Sequence, residues 1–323
     1  MINLSQRLRQ HDAPLYVIGD QKGPEKYDLA GCEFYSLEDQ LQLPLSLAHQ
    51  LPVGHYARKN IGYLLAIRAG ADCLYETDDD NEPKAHWKPR RLQTEARLVS
   101  DRQWCNVYRF YSEKLIWPRG LPLDMIADPV ANQTEIDSSL HQVESAIQQG
   151  LVDVSPDVDS LWRLIVGGDF DFEPGSSLCL KPGTWSPFNS QSTWWWPSAY
   201  PLLYLPSYCS FRMTDIWRGF IAQRCLWELG QGIVFHKPEV DQERNPHRLM
   251  RDFEQEIPGY LGNQDIIERL ESLSLSPGLE NITANLYRCY EALIEGEYFP
   301  AKELDLVTAW IDDINRAGIR IAA

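Results

Sequence analysis

The chain has 323 residues, enough to bury a sizeable core in one catalytic unit. It carries 46 Asp and Glu against 30 Lys and Arg, a formal charge of -16, which excludes long-range attraction to nucleic acid or to an anionic membrane surface. Seven cysteines lie scattered without a C-x-x-C pair, so neither a zinc site nor a disulfide framework is expected, and a reducing cytoplasm is the expected home.

Residues 1–12 are polar and lack the apolar core of a secretory leader, so none is expected. Leu15-Tyr16-Val17-Ile18 reads as a buried strand closed by Gly19-Asp20, and Glu33 to Ser36 as its parallel neighbour. Between Arg58 and Gly70 the apolar residues Ile61, Leu64 and Leu65 recur at helical spacing, with Gly70 as the stop. Cys73-Leu74-Tyr75 is a further strand whose end delivers Asp78-Asp79-Asp80. Glu82 to Arg97, with Lys84, His86, Lys88, Arg90 and Arg91, suits a mobile loop.

Residues 134 to 149 carry the pattern of an amphipathic helix, and an irregular section begins at Leu151. The most apolar stretch, Trp194 to Phe211, is broken by Pro197, Pro201 and Pro206 and makes a poor membrane span. A helix is expected over Asp215 to Leu229, capped by Thr214 and stopped by Gly230, and from about residue 265 the pattern is helical to the end. The alternation of strands and helices makes this an α/β chain.

The acidic run carries the chemistry. Carboxylates at a strand end can hold a Mn2+ or Mg2+ ion, which together with phosphate oxygens stabilises charge on a leaving diphosphate. In an extended conformation Asp78 and Asp80 point to one face and Asp79 to the other.

Tyr16 to Asp20, Arg58 to Ile67, Thr77 to Asp80 and Asp215 to Arg224 together resemble the glycosyltransferase domain of the STELLO family. More distantly the chain is similar to the reversibly glycosylated polypeptides, the UDP-arabinopyranose mutases, which share a triple-Asp run and an Arg-Gly-x-Pro segment. The resemblance implies a GT-A fold, Rossmann-like with a mixed central sheet flanked by helices, over residues 1–265, and a helical extension over 266–323. It also implies a nucleotide-sugar donor, UDP-linked, held with Asp78, Asp79 and Asp80. Gly19 and Asp20 then border the nucleoside, and Arg58, Lys59 and Asn60 face the diphosphate or form a solvated cap.

Arg119, in Arg119-Gly120-Leu121-Pro122, corresponds to the arginine of the mutases' glycosylation chemistry, with Leu121 in place of their aromatic residue. It reaches a phosphate or sugar, or serves as a turn residue. Asp215 is an acceptor-side base or a helix cap. Asp241 best matches the family's late metal ligand, with His236 and His247 close by. Trp194-Trp195-Trp196 either stacks on an acceptor sugar or packs in the core. The acceptor is a saccharide or another group. The rival readings are a nucleotide-sugar mutase and a non-catalytic module that organises polysaccharide synthesis as an oligomer or with a partner.

Overall fold

Helix α1 (Ile2–Arg9) leads into β1 (Leu15–Ile18), which pairs in parallel with β2 (Cys32–Tyr35) as a small sheet of their own. Gly19 closes β1 where a Cβ would meet the Phe34 ring at 2.7 Å. The computed structural model describes residues 1–100, 103–127, 135–244 and 248–318, so His247 lies outside the described residues. A capping box of Ser36 and Asp39 opens α2 (Leu37–Gln42), and α3 (Lys59–Arg68) buries Ile61, Leu64 and Ile67 before stopping at Gly70, φ +82°.

The central sheet begins with β3 (Leu74–Thr77) and β4 (Asn81–Pro83), joined by the acidic turn. It continues with β5 (Gln93–Ser100), β6 (Glu135–Ile136), β7 (His141–Glu144), β8 (Ile147–Asp153), β9 (Leu178–Leu180), β10 (Ser192–Trp195) and β11 (Val234–Gln242). Among the described residues the order is β3-β10-β8-β11-β9-β5-β6, with β4 on β11 and β7 on β5. The β8–β11 and β5–β9 pairs are parallel and the rest antiparallel. This is the expected mixed sheet with flanking helices.

Two expectations are corrected here. Residues 135–153 form β6, β7 and β8 instead of an amphipathic helix. An Asx turn, Ser139 N–H to Asp137 Oδ1 at 2.8 Å, breaks the run, and β7 extends the edge of β5. The basic segment after Glu82 is not a free loop: it contains β4 and the start of β5, and Trp87 is buried against Trp194 with ring centroids 5.5 Å apart. Trp194, Trp195 and Trp196 are all buried, so the tryptophan run packs in the core.

Short helices α4 (Leu123–Ala127) and α5 (Ser160–Ile165) precede α6 (Thr214–Trp227), which is buried from Thr214 to Leu226. Thr214 is not the cap; it is the first helical residue, and its hydroxyl faces the Ser210 carbonyl. Helices α7 (Leu249–Ser272), α8 (Ile282–Glu295) and α9 (Glu303–Ala317) complete the chain. The boundary expected at residue 265 falls inside α7, whose Ile266, Ile267 and Leu270 share one continuous core with the sheet. Glu303 accepts hydrogen bonds from Tyr204 Oη (2.6 Å), Ser207 N and Tyr208 N, and Asp313 accepts from Ser46 N (3.0 Å) and Leu47 N (2.8 Å). Among the described residues no helix is long and apolar enough to cross a membrane.

Candidate functional site

Pairing of β3 with β10 ends at Thr77↔Ser192, and the chain must then reverse to reach β11 through β4. Asp78, Asp79 and Asp80 make that reversal, closed by Asn81 N–H donating to the Asp78 carbonyl at 3.3 Å. The run is therefore a turn rather than an extended strand, and its side chains diverge. Lys59, at the start of α3, donates to Asp78 Oδ1 at 2.8 Å, while Gln242 donates to both Asp80 oxygens at 3.1 and 3.0 Å. Asp79 is exposed. Burial, with Asp80 and Asp215 nearby, pushes the Asp78 carboxyl up from its ordinary value, and Lys59 pulls it back.

Beside the turn lies an open cleft of about 460 Å3 lined by Asp79, Asp80, Asn81, Glu82 and Glu243. Both amide hydrogens of Asn81 are committed, to the Gln191 carbonyl (2.7 Å) and to Thr77 Oγ1 (3.1 Å), which turns its Oδ1 away from them. That Oδ1 is buried with no donor, as is Gln191 Oε1. Buried acceptors of this kind are costly unless something electropositive reaches them. The turn carries carboxylate and amide oxygens, the hard donor type that a divalent cation completed by water or phosphate oxygens would take, with Asp78 engaged by Lys59 and Asp80 by Gln242. Among the described residues no three His, Cys, Asp or Glu side chains converge as a complete ligand set.

Behind the turn, Arg119 bridges two buried carboxylates. Its Nε and Nη2 reach Asp157 at 2.8 Å each, its Nη1 and Nη2 reach Asp215 at 3.1 and 3.0 Å, and Nη1 also donates to the Arg212 carbonyl. Burial opposes the charge on Asp215, but Arg119 outweighs it and holds the carboxyl below its ordinary value. Asp215 is thus 7% exposed with both oxygens on a guanidinium, a counter-ion geometry that leaves little basicity for proton abstraction. Gly120 permits the approach of α6. Its φ is +97°, and a Cβ there would lie 2.6 Å from Ile216 Cγ2. Gly120→Ala is expected to cost about 2 kcal/mol or more from the combined strain and overlap, read by urea denaturation; an unchanged midpoint would refute this packing account.

A second buried cluster underlies Lys59. Glu76 accepts from Trp195 Nε1 (3.0 Å) and Arg218 (3.2 Å), and also from Tyr63 Oη. Lys59 Nζ lies 3.9 Å from Glu76, so the ammonium sits between a buried carboxylate and the acidic turn. Tyr56 Oη stands 3.4 Å from Asp78 and is hydrogen-bonded with Ser190.

The remaining predicted residues are more dispersed. Asp20 accepts three backbone N–H groups, from Gln21, Gly54 and His55, at 2.8 Å each, and so fixes the loop before α3. Arg58 is buried and donates to Gln40 Oε1 (2.7 Å) and the Leu51 carbonyl (3.1 Å). Asn60 forms a reciprocal pair with the Leu205 backbone at 2.8 Å each. Of that trio only Lys59 faces the acidic turn. Asp241 is ion-paired with Lys84, which also holds Asp153 at 2.9 Å. His236 is fully buried between Ser177 Oγ (2.7 Å) and Gln148 Oε1 (2.9 Å), and burial holds its pKa well below the ordinary value, as a neutral structural imidazole.

Sequence reading did not single out Glu76, Asp157, Asn189, Gln191, Gln242 and Arg218 as site residues. Asn189 Nδ2 supports Asp157 at 2.9 Å, and Gln191 Nε2 supports Gln242 at 2.8 Å. The local signal available was the clustering of Asn189 and Gln191 just before the buried β10.

A mixed sheet flanked by helices, with an acidic turn at a strand end beside a buried Arg–Asp network, is consistent with a GT-A-like glycosyltransferase. The family model of the STELLO glycosyltransferases matches residues 212–323. The chain is 28% identical over 328 aligned residues to the probable glycosyltransferase STELLO2 of Arabidopsis thaliana, and 27% over 325 to the probable glycosyltransferase STELLO1. Each alignment covers 93% of this chain and 41% of the relative, so the chain spans about two fifths of the length of these proteins. The chain is therefore similar to the STELLO glycosyltransferases over most of its length.

Proposed function

We propose that this protein is a GT-A enzyme that moves a sugar from a UDP-sugar to an acceptor with the help of Mn2+ or Mg2+. The observation that carries the reading is the turn Asp78–Asp80, where Asp80 borders the open cleft, Asn81 Oδ1 is buried without a donor, and Lys59 pairs with Asp78. When bound there, the cation would neutralise charge developing on the leaving diphosphate. Lys59 adds a second, protein-borne positive charge on the same side, and Glu76 holds its ammonium in place. Arg119 and Asp215 add a fixed, buried ion pair whose charges are already set in place.

Arg119 is buried and spends its donors on Asp157, Asp215 and the Arg212 carbonyl. That enclosure supports a transferase over a mutase that would glycosylate this arginine. The reading is tested by calorimetry of UDP with Mn2+ and with chelator. Affinity at least about tenfold higher with the metal is expected. Equal affinity in both conditions would remove the cation from the mechanism.

A further inference from the structure

A cluster of arginines next to the Arg119–Asp215 pair is not used by the donor site. Arg212 precedes α6, Arg244 follows β11 and Arg163 lies on α5. Helix α7 brings them together through two carboxylates one turn apart. Asp252 accepts from Arg244 Nη2 at 2.8 Å, and Glu256 accepts from Arg212 Nε at 2.9 Å. Glu256 also accepts from Ser160 N and Oγ at 2.7 Å each, which docks α5 and carries Arg163, three residues on, to the same place. Arg163 Nη2 donates to the Pro156 carbonyl at 2.6 Å, next to Asp157, and its Nε is buried without an acceptor.

Like charges are held close here. Burial and then Arg244 push the Arg163 guanidinium down to about 10, and burial and then Arg212 lower Arg244. The carboxylates in reach have other duties: Asp157 is chelated by Arg119, Asp159 accepts from Trp117 and Trp162, and Glu256 also holds Ser160 and Tyr260. Guanidinium forks converging with an unspent buried donor are suited to planar or tetrahedral oxyanions.

We infer that Arg163, Arg212 and Arg244 form an oxyanion-binding subsite that recognises a phosphate or carboxylate group on the acceptor. The placement on the acceptor side rests on the proposed donor site. Arg119, which holds Asp215, also donates to the Arg212 carbonyl, so the arginine cluster begins one hydrogen bond from that pair. Inorganic phosphate and glucuronate represent the two sources of such a group.

The test is titration of the full chain with each probe in the presence of chelator, followed by calorimetry. Saturable binding of at least one probe is expected. Arg163→Gln and Arg244→Gln should each weaken it at least about tenfold, whereas the exposed-site control Lys181→Gln should not. Phosphate binding alone would assign a phosphorylated acceptor, and glucuronate binding alone a uronic acid. Should Arg163→Gln fail to fold, the more peripheral Arg244→Gln decides. Absence of saturable binding, or equal affinity in the arginine variants and the control, would overturn the subsite. With Mn2+ and UDP present, undiminished probe binding is expected; competition by UDP would overturn the acceptor assignment. Failure of UDP itself to bind would sink the donor reading and leave the metal-free result standing by itself.

Discussion

Arg119→Ala is expected to destabilise the protein by about 3–5 kcal/mol, the range seen when one partner of a buried ion pair is removed. The guanidinium is enclosed, and its loss would leave Asp157 and Asp215 facing each other with no cation between them. Asn189 would still donate to Asp157, but a neutral amide cannot offset two buried charges. Chemical denaturation monitored by tryptophan fluorescence reads this directly. A loss below about 1 kcal/mol would mean that water reaches the triad and that the buried network has little weight. Asp215 is itself buried, at 7% exposure. Asp215→Asn removes a charge that Arg119 requires and is therefore expected to lower stability as well.

Asp80→Asn should have the largest effect on function while sparing the fold. The Asp80 carboxylate accepts from the Gln242 side chain and borders the open cleft, so the isosteric amide leaves the core untouched. Loss of an outer-shell partner of a metal ligand typically costs 10- to 100-fold in affinity or activity, so loss of a ligand should cost at least about 100-fold in metal-dependent UDP binding and in kcat/KM. Thermal denaturation without ligand should be nearly unchanged. If UDP binding in Mn2+ survives the substitution intact, the cation is held elsewhere and Asp80 is a turn residue.

Much of the frame was legible because it rests on local patterns. The apolar run of β1, the helical spacing and glycine stop of α3, and Gly230 after α6 each state a local preference that the tertiary fold keeps. The error over residues 134 to 149 has an equally specific origin. Ile136, Leu140, Val143 and Ile147 fall at helical intervals, whereas β8 is buried along its whole length, including Gln148 and Gln149. Gln148 is satisfied by the Arg91 and Leu92 carbonyls and Gln149 by Asn189. Nothing within the strand announces partners 40 or more residues away.

The same distance hides half of the site. The acidic run and Lys59 could be read from their positions at element ends, but Asp157 meets Arg119 across 38 residues and Glu76 meets Arg218 across 142. Conversely, Arg58 and Asn60 look like anion ligands from sequence alone, because a helix start favours anions. Their side chains in fact tie α3 to Gln40 and Leu205.

The bonds from Asp313 to Ser46 and Leu47, and from Glu303 to Ser207 and Tyr208, also bear on how the molecule comes into being. The acceptor groups lie on the last helix, whereas Ser46 and Leu47 leave the ribosome more than 260 residues earlier. During synthesis those backbone donors and the apolar surface beneath α9 stay open until α9 emerges. Folding of the amino-terminal layer is therefore completed only once α9 has been made, and nascent chains that stop short of α9 become natural clients for chaperones.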